Sequence, residues 1–315
     1  MKALLLLLII TLAEASIGVF VKLIGGSLSI FQINFYSILF AAIFLGIMLF
    51  LVLRKKFVFP KNNLKDTLLI GLFIALQLSL FNLAMTLAPI ANVVIFWSVA
   101  PFFVFIFSSI IVKEKPTLNH VMIFLIALLG IFIANPLSES EWLGNSIALF
   151  TGVTYALMVT YMRHEGKEQQ SKDIFWSMLA AAIYLIPTLF FSGLGFERLL
   201  NLSPNLLFGL SVPVIFCVLF LGMISRGTAF LSISFVLERI NANIYSLIDI
   251  IVSPLIAAMF GYLVFNEIPS KNLIMGGAIL ILAGFLLTRK MKTIPKPDIK
   301  DTEKRKKKHN KKDKN

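Results

Sequence analysis

Three charged residues stand where a charge is expensive. Glu14, Arg226 and Asp249 each interrupt an otherwise apolar stretch of this 315-residue chain. A charge held at the depth of a lipid hydrocarbon costs at least about 2.5–3.5 kcal/mol, so such residues are paired, functional, or both. Glu14 lies about 11 residues into the first apolar segment, roughly 16 Å at 1.5 Å per residue. Its carboxyl can bind a cation or exchange a proton, or it can be held by a polar partner on another helix. Arg226 and Asp249 are expected at similar depths. Either they form a structural ion pair, or Arg226 offers its planar donor fork to a carboxylate or phosphate.

Weaker chemistry surrounds these three. Gln77, Asn82, Asn92, Trp97, Tyr155 and Asn243 place polar or aromatic groups within apolar segments, where each can line a cavity or bond between helices. Pro101 and Pro254 release backbone carbonyls and permit kinks, which makes them candidate hinges. Glu114 and Glu267 mark segment ends, where a cap or loop contact is expected. Lys22, near the end of the first segment, can snorkel to an interface, and Glu238 with Arg239 reads as a solvated turn. No catalytic set emerges: His120, His164 and His309 are scattered, without an HExxH arrangement, and no glycine-rich phosphate loop is present. The lone Cys217 excludes an intramolecular disulfide and a thiolate cluster. Neither an enzyme, a metal site nor a cofactor is therefore expected.

The segments that carry these residues define the class. Of all residues 58% are hydrophobic and 14% charged, against about 25% charged in a soluble domain. Runs free of Asp, Glu, Lys and Arg cover 23–53, 67–112, 116–138, 142–162, 174–196, 199–225, 250–266 and 272–288. A span needs roughly 20 apolar residues. With Ala88-Pro89 as a turn, ten helices are predicted, near 3–24, 30–53, 64–87, 90–112, 118–136, 143–162, 173–192, 212–236, 241–265 and 271–288. Lys2 and its leucine run imitate a secretory signal, but apolarity resumes through Ile24, so the segment reads as the first span.

Basic residues gather on alternate loops, with Arg54, Lys55, Lys56, Lys61 and Lys65 on one, Lys113 and Lys115 on the next, and Arg163, Lys167 and Lys172 on a third. The intervening loops carry almost none. Such asymmetry marks the cytoplasmic side, which places both termini in the cytoplasm and the chain in a cell membrane. The stretch 289–315 holds 13 Lys/Arg and four acids, +9 of the formal +13. Its position favours a solvated, disordered anchor near anionic headgroups over a nucleic-acid partner.

The chain also repeats itself. Pro101 is followed by Glu114, Pro116, Thr117 and Asn119; Pro254 is followed by Glu267, Pro269, Ser270 and Asn272, all at an offset of 153 residues. The offset predicts two five-helix repeats, 1–136 and 137–289, followed by the basic tail 290–315. Five is odd, so the second repeat enters the membrane inverted, and inverted repeats place a shared small-molecule site near the midplane.

These motifs, with Lys22, Ala88-Pro89, Gly227-Thr228-Ala229, Gly276-Gly277 and Ala283-Gly284, resemble the EamA-type branch of the drug/metabolite transporter superfamily over about residues 3–288. The chain departs from that pattern at Glu14 and in lacking a first-half counterpart of Gly276-Gly277. The resemblance implies an all-α integral membrane protein of ten transmembrane helices, acting as a secondary transporter that exports amino acids or related metabolites by alternating access. Proton-coupled efflux of organic cations through Glu14 is the alternative, and a membrane-embedded lipid-handling protein or enzyme is a third reading. The resemblance does not specify the substrate, the coupling ion or the oligomer.

Overall fold

The computed structural model describes residues 2–52, 59–60, 64–88, 90–134, 142–165, 170–205, 207, 209–266, 268 and 270–291. The tail, Pro89, Glu267 and the Lys61 and Lys167 loop positions lie outside the described residues.

Long apolar runs without charge fold as helices, because a helix satisfies its own backbone groups where water is absent. In chain order these are α1 Lys2–Ile24, α2 Ile30–Ile47, α3 Leu64–Leu87, α4 Ile90–Trp97 resuming as Ala100–Phe107, α5 Leu118–Ala134 and α6 Trp142–Glu165. Then follow α7 Gln170–Leu185, α8 Val214–Phe220 resuming as Thr228–Leu237, α9 Ala242–Phe265 and α10 Lys271–Met291. Eight described spans are long and apolar enough to cross a membrane, while Leu118–Ala134 and Lys271–Leu287 are shorter apolar helices. The predicted ten-span count is therefore not reached on helix length alone.

Local chemistry sets several ends. Ser29 and Gln32 form a capping box at the start of α2, with the Ser29 N–H donating to Gln32 Oε1 at 2.9 Å and the Gln32 N–H to Ser29 Oγ at 3.2 Å. The Gln32 amide donates onward to the carbonyls of Ser192 and Gly193, fastening α2 to the segment that follows α7. Within α4 the helix breaks at Ser98–Val99 and restarts with Pro101 in its first turn, where a proline's missing N–H costs nothing. Its repeat mate Pro254 stays inside an unbroken α9, so the two candidate hinges differ in kind.

The packing of the two halves is reciprocal. Helix α3 lies against α6 and α7 as α8 lies against α1 and α2; α4 lies on α6 as α9 lies on α1; and α2 meets α7, α4 meets α9, and α5 meets α10. Exchanging each helix with the one five places on maps this set onto itself. The same 153-residue offset relates the two described non-glycine residues with positive φ, Lys113 at 62° and Asn266 at 55°. Each closes its helix immediately before the motif glutamate.

Small residues let these helices approach closely, as membrane packing requires. A Cβ on Gly71 would come within 2.6 Å of the Ser177 carbonyl oxygen, and one on Gly222 within 2.6 Å of that of Ser37. At the α5–α10 crossing Gly130 and Gly276 meet backbone to backbone. Gly276→Val is expected to cost about 1–3 kcal/mol through overpacking, read as a lower Tm in detergent. Gly277→Ala, whose added Cβ would meet only a Leu255 methyl at 3.3 Å, should stay near the parent value.

Candidate functional site

Helices of both halves converge on a buried pair of carboxyl groups. Glu14 of α1 faces Asp249 and Tyr245 of α9. Asp249, 3% exposed, accepts from the Tyr155 hydroxyl of α6 at Oδ2 and from Ser253 Oγ at Oδ1, 2.9 Å. Trp97, at the end of the first piece of α4, meets Tyr155 edge to face with ring centroids 5.6 Å apart, and Phe81 of α3 stands behind it. Tyr155 and Tyr245 thus border the two acids, with Trp97 and Phe81 behind Tyr155.

The cluster is under-satisfied. Glu14 Oε2, the Tyr245 hydroxyl and Trp97 Nε1 are buried and make no hydrogen bond, although buried polar groups are paired in the great majority of cases. Among the described residues no cation faces the two carboxyls. Like charges at contact distance in low dielectric repel strongly, so the pair is a place of unmet negative potential that a positive ligand charge relieves. Carboxylates flanked by aromatic faces suit an ammonium group, which gains both ion-pair and cation–π attraction.

Arg226 is not part of this pair. It makes no ion pair with Asp249; its guanidinium, 3% exposed, turns to α2, where Nη1 donates to Ser37 Oγ and Nη2 to Asn34 Oδ1 at 3.3 Å. Asn34 Oδ1 also accepts from Asn82 of α3 at 2.7 Å. The cause is local: Leu221–Gly227 forms a π-helical stretch in mid-α8, which shifts the helical register and directs Arg226 and Ser225 to different neighbours. Ser225 shares a 2.6 Å hydrogen bond with Ser16, two residues beyond Glu14. The expected set of three charges is therefore two clusters joined across the α1–α8 contact.

A third network closes one end of the bundle, where the first motif glutamate lies. Arg163 of α6 donates from Nε and Nη2 to Glu114 Oε1 at 2.8 and 2.7 Å, and from Nη1 to the Leu237 carbonyl of α8. Glu114 Oε2 accepts from the Ala242 N–H at 3.3 Å, and Asn243 of α9 bonds both the Glu114 carbonyl, at 3.0 Å, and Ser108 Oγ, at 2.6 Å. Glu114 is thus an ion-pair partner rather than a simple cap, and Asn243 serves this network instead of the acid cluster. Lys22, which occupies in α1 nearly the place of Arg163 in α6, lies 4.2 Å over the Phe265 ring at the other end.

Arg163→Met is expected to loosen this closure. A Ser108→Cys thiol, buried beneath the network, should react with a water-soluble maleimide several-fold faster once Arg163 is replaced. Unchanged reactivity in solubilised protein would mean that packing alone shuts this end.

Of the other residues expected at a cavity, Gln77 is half-buried on α3, with no hydrogen bond tying it to either cluster among the described residues. The side chain of Asn92 lies outside the described residues. Tyr245, Asn34, Ser37 and Ser225 were not singled out from sequence. Helical spacing is the signal that finds them: Tyr245 precedes Asp249 by one turn, and Asn34 and Ser37 are three apart on one face of α2.

Reciprocal five-helix halves around a buried polar cluster, in a chain of this apolarity, are the build of a multi-pass membrane transporter. The chain belongs to the EamA-like transporter family, a branch of the drug/metabolite transporter superfamily, whose model matches residues 1–135 and again 142–289. A protein of Archaeoglobus fulgidus described as an uncharacterized transporter is 25% identical over 203 residues, 64% of this chain and 68% of its own length. A protein of known crystal structure superposes with a TM-score of 0.73 and 16% identity, covering 91% of this chain and 98% of that one; that likeness concerns the fold.

Proposed function

We propose that this chain is a secondary transporter that exports amino acids or related ammonium-bearing small metabolites across the cytoplasmic membrane by alternating access. Ten spans in two inverted repeats, 1–136 and 137–289, carry it, with both termini in the cytoplasm. The observation that carries the substrate class is the Glu14–Asp249 pair, which no cation faces among the described residues and near which the buried Tyr245 hydroxyl and Trp97 Nε1 make no hydrogen bond. Such a cluster attracts an ammonium group. The repeat contacts at α1–α9 and α4–α6 supply the walls that separate when access alternates.

On this topology the Glu114–Arg163 network shuts the cytoplasmic mouth, and Lys22 on Phe265 marks the opposite mouth. The basic tail stays near anionic headgroups. A second reading, proton-coupled efflux of larger organic cations, draws on the same carboxyls and on the Trp97–Tyr155 wall, since aromatic faces receive quaternary ammonium groups.

Counterflow in proteoliposomes loaded with a mixed metabolite library, with and without a proton gradient, tests the assignment. Exchange of amino acids supports it, exchange confined to lipophilic cations favours the second reading, and exchange of neither removes both.

A further inference from the structure

Among the described residues Arg226 is the buried Lys or Arg side chain, and its surroundings carry no opposite charge. Its two terminal nitrogens reach only the neutral oxygens of Ser37 and Asn34, and Nε is buried with no partner. A guanidinium stays protonated under all physiological conditions. Neutral acceptors satisfy its N–H groups in part but leave its charge uncompensated, and a buried cation without a counter-charge costs several kcal/mol. The chain maintains this cost within an unusual local structure, a π-helical stretch, a form concentrated at functional positions.

The acid pair does not supply the missing charge. Asp249 is held by Tyr155 and Ser253; the groups acting on Glu14 are Asp249 and Tyr245, with Arg226 absent from them. The Ser16–Ser225 hydrogen bond joins the helix that carries Glu14 to the helix that carries Arg226.

We infer that Arg226, oriented by Ser37 and Asn34, is a subsite for a monovalent anion during the transport cycle. The unpartnered Nε and its neighbouring Nη present two parallel donors, which fits a carboxylate edge-on and accepts a halide less specifically. Two sources provide that anion: the carboxylate of the substrate itself, or free chloride. This rests on the proposed ammonium-binding cluster for its partner charge: with both occupied, the membrane interior holds a balanced pair of ligand charges.

The test uses the full-length chain in proteoliposomes with three probes, L-lysine, its decarboxylated diamine and its methyl ester, in chloride and in isethionate. If the substrate carboxylate is the occupant, wild type should exchange lysine at least about tenfold faster than the diamine or ester in either salt. Arg226→Gln should then abolish that preference while retaining diamine exchange, and Arg226→Lys should restore it only in part, since the fork geometry is lost. If chloride is the occupant, exchange of all three probes should fall together in isethionate, and Arg226→Gln should be insensitive to the salt.

Wild type indifferent both to the carboxylate and to chloride would overturn the subsite while leaving the ammonium reading intact. Exchange of none of the three probes would remove that reading with it. Because the wild-type comparisons need no variant, a poorly inserting Arg226→Gln does not shield the proposal.

Discussion

Converting both interior carboxyls to amides, Glu14→Gln with Asp249→Asn, is expected to leave an inserted, folded chain that has lost at least about a hundredfold of its exchange of ammonium-bearing substrates. The amides preserve shape, and of the Tyr155 and Ser253 hydroxyls that donate to the two Asp249 oxygens one keeps an acceptor in the amide oxygen while the other turns to accept from the amide NH2. What disappears is the negative charge. Removing the counter-charge of a desolvated cation typically costs about 3–5 kcal/mol, two orders of magnitude or more in affinity. Either single change leaves one carboxyl in place and should be milder than the double change. Initial exchange rates per inserted molecule, with Tm to verify folding, give the comparison; near-parental exchange by the double variant would assign the pair a purely structural role.

A cross-link across the Glu114 end should stop turnover altogether. Ser108, just past the second piece of α4, and Asn243 of α9 are hydrogen-bonded at 2.6 Å, so cysteines at the two positions face each other across this contact and can be bridged by a disulfide or a short bifunctional thiol reagent. In a Cys217→Ser background, Ser108→Cys with Asn243→Cys is expected to lose all exchange on oxidation and to regain it on reduction. On the proposed alternating-access cycle the halves separate there for a ligand to enter or leave, and a covalent bond holds both to one arrangement. Full exchange by completely cross-linked protein would place the moving contact elsewhere.

Much of this architecture was legible in the residues. Charge-free runs gave helix positions within a few residues, as at 64–87 and 241–265, because lipid enforces helix wherever the run is long enough. The doubled Pro-to-Glu motif announced the two halves, and its offset recurs in the left-handed residues Lys113 and Asn266. What escaped was direction around the helix axis. A buried charge can be located along a segment from composition, but which neighbour it meets depends on helix rotation, and a π turn such as Leu221–Gly227 rotates everything beyond it. Depth along the chain therefore pairs Arg226 with Asp249, whereas its partners stand on α2. The same limit hid Arg163 as the partner of Glu114, since two loop-proximal charges 49 positions apart carry no periodic signature. The break at Ser98–Val99 was blurred for another reason: Pro101 restarts a helix as readily as it kinks one.

The central claim, that the Glu14–Asp249 pair is where the ligand's positive charge rests, is open to chemical modification at that spot. A membrane-permeant carbodiimide couples to carboxyls in apolar surroundings, and peptide mass spectrometry identifies which of Glu14 and Asp249 it has reached. The account predicts modification of one or both in the empty protein, and strong protection by a saturating mixture of L-amino acids but not by their N-acetyl derivatives, which lack the ammonium group. Modification at the same rate with and without the amino acids would contradict it.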